Sequence, residues 1–98
     1  MSEDELLGST VALAEYLHIL VFHVRDSRTL KIGQGFPDLV LAGSAGVIFA
    51  ELKGFDDVLS SAQKSWKWKL QAGGAHWQLW RPPDWFTGRI EHELRRIA

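Results

Sequence analysis

The chain has 98 residues, with 11 Lys or Arg against 12 Asp or Glu and a formal charge of −1; that length makes one domain with a modest core, and the balanced charge excludes a globally basic nucleic-acid binder, so any such surface must be local. The absence of cysteine excludes disulfides and thiolate metal sites and fits a reducing, cytoplasmic setting. Met1-Ser2-Glu3-Asp4-Glu5 is acidic where a signal peptide is basic, and no apolar run approaches the roughly 18 residues of a membrane span, so no membrane partner is expected.

In chain order, Ser2 followed by Glu5 reads as a capping box, and Leu6, Leu7, Thr10, Val11, Leu13, Ala14 and Leu17 recur at helical spacing to about His18. Ile19 to Asp26 is β-branched and aromatic, predicting a first strand. A polar loop, 27–35, carries Arg28 and Lys31, which with Arg25 make a small basic cluster. Two apolar runs, about Asp38–Ala42 and Val47–Lys53, are joined by Gly43-Ser44-Ala45-Gly46 and predict a hairpin of central strands covered on both faces. Ser60 with Gln63 marks a second helix. Its predicted buried stripe is Ala62, Trp66 and Leu70, with Lys64, Trp68 and Gln71 outward. Gly73-Gly74 ends it, Ala75 to Trp80 alternates as a fourth strand, and about Asp84 to Ile97 reads as one terminal helix after Pro82-Pro83. The order α-β-β-β-α-β-α, with a right-handed crossover through the second helix, predicts an α/β fold with a four-stranded mixed sheet flanked by helices. No repeat divides the chain, so residues 1–98 read as a single domain. Five tryptophans exceed what so small a core needs and point toward a dimer.

The hairpin carries the chemistry. Folding at residues 43–46 brings Asp38, at the start of one strand, beside Glu51, at the end of the other. Alternation puts Glu51 and Lys53 on one side and Leu52 on the other. Two carboxylates at adjacent strand ends suit an oxygen-ligated cation such as Mg²⁺, and a lysine facing the same space suits a phosphate or a nucleophilic water. Solubility is the competing reading of such charges, but Glu51 and Lys53 extend a strand that should be central, where charges need partners. Lys64, Lys67 and Lys69, interleaved with Trp66 and Trp68, suit a nucleic-acid backbone. Trp68 is divided between a dimer contact and DNA. His23, on an apolar strand, reads as a packed or hydrogen-bonded histidine.

Gly35-Phe36-Pro37-Asp38-Leu39-Val40-Leu41, Phe49-Ala50-Glu51-Leu52-Lys53, the run from Leu59 to Trp66, Leu70 to Ala75 and Leu79 to Trp85, in that order, resemble the VRR-NUC family. This is a branch of the PD-(D/E)XK, or restriction-endonuclease-like, nucleases. Pro37-Asp38 and Glu51-X-Lys53 match the superfamily signature; Gln63 with Trp66, and Trp80-Arg81-Pro82, match the branch. The resemblance implies that Asp38, Glu51 and the Leu52 carbonyl ligate Mg²⁺ or Mn²⁺, that Lys53 is the catalytic lysine, and that Gln63 assists from the second helix. It also implies a first-helix glutamate, for which Glu3 fits best and Glu5 next; Glu15 lies too near the helix end. Gln63 has a second reading as a cap, and Glu3 and Glu5 as first-turn acids. Arg25, Arg28, Lys31, Lys64 and Lys67 become expected DNA contacts. Stand-alone members resemble Holliday-junction resolvases, which implies a homodimer acting on branched DNA. A DNA-binding module without catalysis and a protein-interaction domain are the rival readings.

Overall fold

A capping box opens the first helix. In the computed structural model, which describes residues 1–98, the Ser2 hydroxyl accepts from the Glu5 N–H at 3.1 Å and the Glu5 carboxylate accepts from the Ser2 N–H at 3.0 Å. Helix α1 then runs Glu3–Tyr16 and buries Leu6, Thr10 and Ala14, a four-residue spacing that lays one face on the sheet. His18 takes a left-handed φ of 62° and turns the chain into β1, Leu20–His23. This strand stops short of the expected Asp26. The Asp26 side chain accepts from the Arg28 N–H and starts a 3-10 turn at Ser27–Thr29, a local bond that competes with the ladder.

The hairpin forms as β2, Leu39–Gly43, and β3, Gly46–Leu52. Its antiparallel register pairs Leu39 with Ala50 and Gly43 with Gly46. Strand β1 pairs antiparallel with β2, and β4, His76–Trp80, pairs parallel with β3. The sheet order is therefore β1-β2-β3-β4. The parallel crossover is made by α2, Ser61–Ala72, whose N-cap Ser60 and residue Gln63 form the second capping box.

Pro82 does not break the chain but starts a short helix, α3, Pro82–Phe86, where a missing N–H costs nothing. Gly88, with a φ of 82°, then separates α3 from α4, Arg89–Ile97. The single terminal helix expected from Asp84 to Ile97 is thus two.

The faces of the sheet are unequal. Leu39, Leu41, Ile48, Ala50, Leu52 and Trp80 pack with Leu6, Ala14, Ile90, Leu94 and Ile97 into one core. On the other face α2 packs near β4 and leaves Leu20, Phe22 and Val47 exposed at 77, 64 and 43%. The expectation of strands covered on both faces therefore holds for one face only. No residue of α2 is fully buried, so Ala62, Trp66 and Leu70 make a half-buried stripe. Trp66 is held by its Nε1–H, which donates to the Gln34 carbonyl at 3.0 Å, and by an edge-on contact with Phe36. Trp77 and Trp80 are buried and Trp85 is half-buried. Four of the five tryptophans are thus used in packing, so composition overstated the case for an indole interface. No helix is long and apolar enough to cross a membrane.

Candidate active site

The β2–β3 register places Asp38 directly across from Glu51, one step beyond the Leu39–Ala50 pair. Glu51 is 2% exposed. Its Oε1 accepts from Gln63 Nε2 at 2.7 Å, while its Oε2 is buried and meets no donor. The Asp38 Oδ2 accepts from the Leu52 N–H at 2.8 Å, which fixes the carboxylate against the strand beside Glu51.

Burial, and then the Asp38 charge, push the Glu51 carboxyl up to about 8, against the pull of Lys53. Burial raises Asp38 as well, opposed by the Leu52 N–H, Lys53 and His23. The two acids therefore share a proton more readily than they ionise together. Glu3 is raised by partial burial and by Asp38, with Lys53 acting the other way and Asp57 reinforcing the rise. Of the three first-helix glutamates, Glu3 is the one that shares a depression with Asp38. Glu5 is held in the capping box, and Glu15 lies in a separate hollow with Val11 and Ala12.

Gln63 carries both of its sequence readings at once. Its Oε1 accepts from the Ser60 N–H at 2.8 Å as the capping residue, and its Nε2 reaches Glu51. Gly35 makes this reach possible. It has a φ of +84°, and a methyl group there would overlap the backbone of Ala62, the residue before Gln63. Only glycine permits the loop and the first turn of α2 to approach so closely.

Glu3, Asp4, Leu7, His23, Arg25, Asp38 and Leu52 line a depression of about 140 Å³ at this end of the sheet. Two members, Asp4 and His23, were not expected. His23 is exposed and its ring makes no hydrogen bond, so it is not the packed histidine the apolar strand suggested. Period-two alternation from Arg25 would have found it. The expected basic cluster is divided. Arg28 turns back on Asp26 through Nε at 3.0 Å and a second bond at 3.2 Å, Lys31 is exposed, and Arg25 faces the depression. On α2, Lys64 is exposed, whereas the Lys67 ammonium lies 5.2 Å from the Trp77 ring centre, a cation–π contact. Trp68 is 62% exposed on the outer face. A larger concavity, about 830 Å³, lies at the far end of the sheet among Gly46, His76 and Arg96. Its one carboxylate, Glu93, is already engaged by Trp80 and Arg89.

The donor set fits a hard divalent cation. A buried carboxylate with one oxygen lacking any donor, beside a second acid, is the arrangement such an ion relieves. No three His, Cys, Asp or Glu side chains gather in ligating geometry; an ion that keeps several waters needs only one or two carboxylates.

No protein-family model matches the sequence, and no curated protein matches it. One solved structure similar to it is described as a VRR_NUC domain protein. It aligns over 98% of this chain and 90% of that one with a TM-score of 0.66, at 16% identity. At that identity the likeness shows a shared fold.

Proposed function

We propose that this chain, which has the VRR-NUC fold, is a Mg²⁺- or Mn²⁺-dependent endodeoxyribonuclease acting on branched DNA as a homodimer. The observation that carries the reading is Glu51, buried on a central strand, paired with Asp38, and held at one oxygen by Gln63 while the other has no donor.

Asp38, Glu51 and the Leu52 carbonyl would hold the cation, which when bound polarises the scissile phosphate and acidifies a water. The remaining work falls to the chain itself. Lys53 leaves β3 on the same side as Glu51, where its charge already acts on both acids. It orients the attacking water or neutralises a phosphate oxygen. Gln63 keeps Glu51 facing the site. Glu3 stands across the depression from Asp38 and accepts a hydrogen bond from a water or from the leaving oxygen. Arg25, without an ion pair, contacts the neighbouring phosphate, and Arg28, Lys31, Lys64 and Lys67 extend the contact along the strands. The exposed Leu20, Phe22 and Val47 support a twofold contact between copies, which would set two sites on one branched substrate.

The test is cleavage of four-way, flap, splayed and linear DNAs with Mg²⁺ or Mn²⁺, beside Asp38→Asn. Metal-dependent cutting that Asp38→Asn abolishes supports the reading. Salt-dependent binding that ignores Mg²⁺, without cutting of any DNA, would make the chain a silent DNA-binding module. The absence of DNA binding would favour a protein-interaction domain.

A further inference from the structure

Residues 54–58, Gly-Phe-Asp-Asp-Val, leave β3 directly after Lys53, and their apolar side chains stand largely in solvent. Phe55 is 72% and Val58 80% exposed. The backbone beneath Phe55 is nevertheless held. Arg81 Nη1 donates to the Gly54 carbonyl at 2.8 Å and more weakly to the Phe55 carbonyl at 3.5 Å, and the Lys53 N–H donates to the Trp80 carbonyl at 3.1 Å. A large ring anchored at its backbone and bare at its side chain loses little freedom on contact with a ligand.

The segment borders the site. Phe55 is two residues from Lys53, and therefore within about 7 Å along the chain. The Asp57 carboxylate folds back on Gly54, where a methyl group would come within 3.2 Å of its Oδ2. Its charge also reaches Glu3. Asp57 thereby adds its charge to the acids around the depression, and Asp56 precedes it in the chain. A continuous phosphodiester backbone is repelled from such a rim. The face of a nucleobase is not, and it stacks on an aromatic ring whatever its sequence.

We propose that Phe55 is a specificity-determining residue that stacks on an unpaired base at a branch or strand end beside the scissile phosphate, while Asp56 and Asp57 turn away continuous duplex. The inference rests on DNA being the substrate and says how this site selects among DNA structures. Arg81 is the positioning residue that keeps the ring at the rim.

The experiment measures binding of Asp38→Asn protein to four-way, splayed and linear DNAs, with 2-aminopurine placed at the branch. Adding Phe55→Ala should weaken binding to branched DNA by roughly 5- to 100-fold, the size of one base–aromatic stack, and leave linear binding within about twofold. The same variant should remove the change in 2-aminopurine emission on binding that marks stacking on the ring, and Phe55→Trp should restore both the affinity and the quenching of a stacked base. Asp56→Asn with Asp57→Asn should strengthen linear binding and narrow the preference. An equal loss on all DNAs, or none, overturns the proposal. So does a lowered mass for Phe55→Ala in sedimentation with unchanged DNA preference, which would assign the ring to a second copy. Cutting of branched DNA by otherwise wild-type Phe55→Ala protein with undiminished rate and preference overturns this inference alone. Phe55-dependent binding without cutting by the wild type supports it while overturning the nuclease reading.

Discussion

In EDTA the folded protein should lose stability as pH rises, because it holds the Glu51 proton more tightly than the unfolded chain does. The carboxyl moves from an ordinary 4.5 to about 8 on folding. Its contribution is fully present below 4.5 and is lost as pH climbs through 8. One pKa unit corresponds to 1.36 kcal/mol, so the loss between about pH 5 and pH 8 comes to about 3 kcal/mol. Asp38 shifts in the same direction and adds to the effect. Glu51→Gln removes the titrating group and keeps the shape, so its stability should be much flatter over that range. The assay is urea unfolding at pH 5 and pH 8 for both proteins. Saturating Mg²⁺ should then stabilise the wild type at pH 8, by about 3 kcal/mol at a hundred times Kd, and leave Glu51→Gln nearly unmoved. If Glu51→Gln retains the wild-type slope, the buried acid is not what titrates and the metal assignment falls with it.

Lys53→Ala should lower kcat by about a hundredfold or more at saturating metal while the Mg²⁺-induced rise in Tm persists; unchanged turnover would remove Lys53 from the mechanism. Gly35→Ala should lower Tm by about 10 °C through backbone strain and overlap with Ala62, and should depress activity as α2 and Gln63 draw away from Glu51; melting and turnover together measure this. In equilibrium sedimentation, Phe22→Ser should lower the apparent mass if the open sheet face joins two copies, whereas Trp68→Ala should do so if the contact is on the outside of α2. A mass unchanged in both would exclude either surface from a dimer.

The features legible in the sequence were those written in local patterns. The hairpin followed from two apolar runs joined by a glycine-flanked turn, and both long helices from capping boxes. Asp38 and Glu51 came together for the same reason. Information that depends on what packs against an element was harder to read. The runs of β2 and β3 look alike whether two layers cover them or one, so the open face with Leu20, Phe22 and Val47 was invisible. Gly88 sits in a pattern that stays amphipathic across the break, so α3 and α4 read as one helix. His23 was judged by its apolar neighbours rather than by its alternation with Arg25. The reach of Gln63 needed Gly35, whose tolerance of Ala62 is a fact of tertiary approach.

The first turn of α2 also sets where one proton resides. Because the Ser60 N–H claims the oxygen of the Gln63 amide, only the NH₂ end is free to meet Glu51, and it takes Oε1. The proton that neutralises Glu51 then has Oε2 as its place, the oxygen that meets no donor. A cation held by these acids would take the place of that proton, so loading the site would exchange one for the other. Its affinity should climb with pH until the carboxyl has ionised near 8. A helix cap thus decides which oxygen the ion must win from hydrogen.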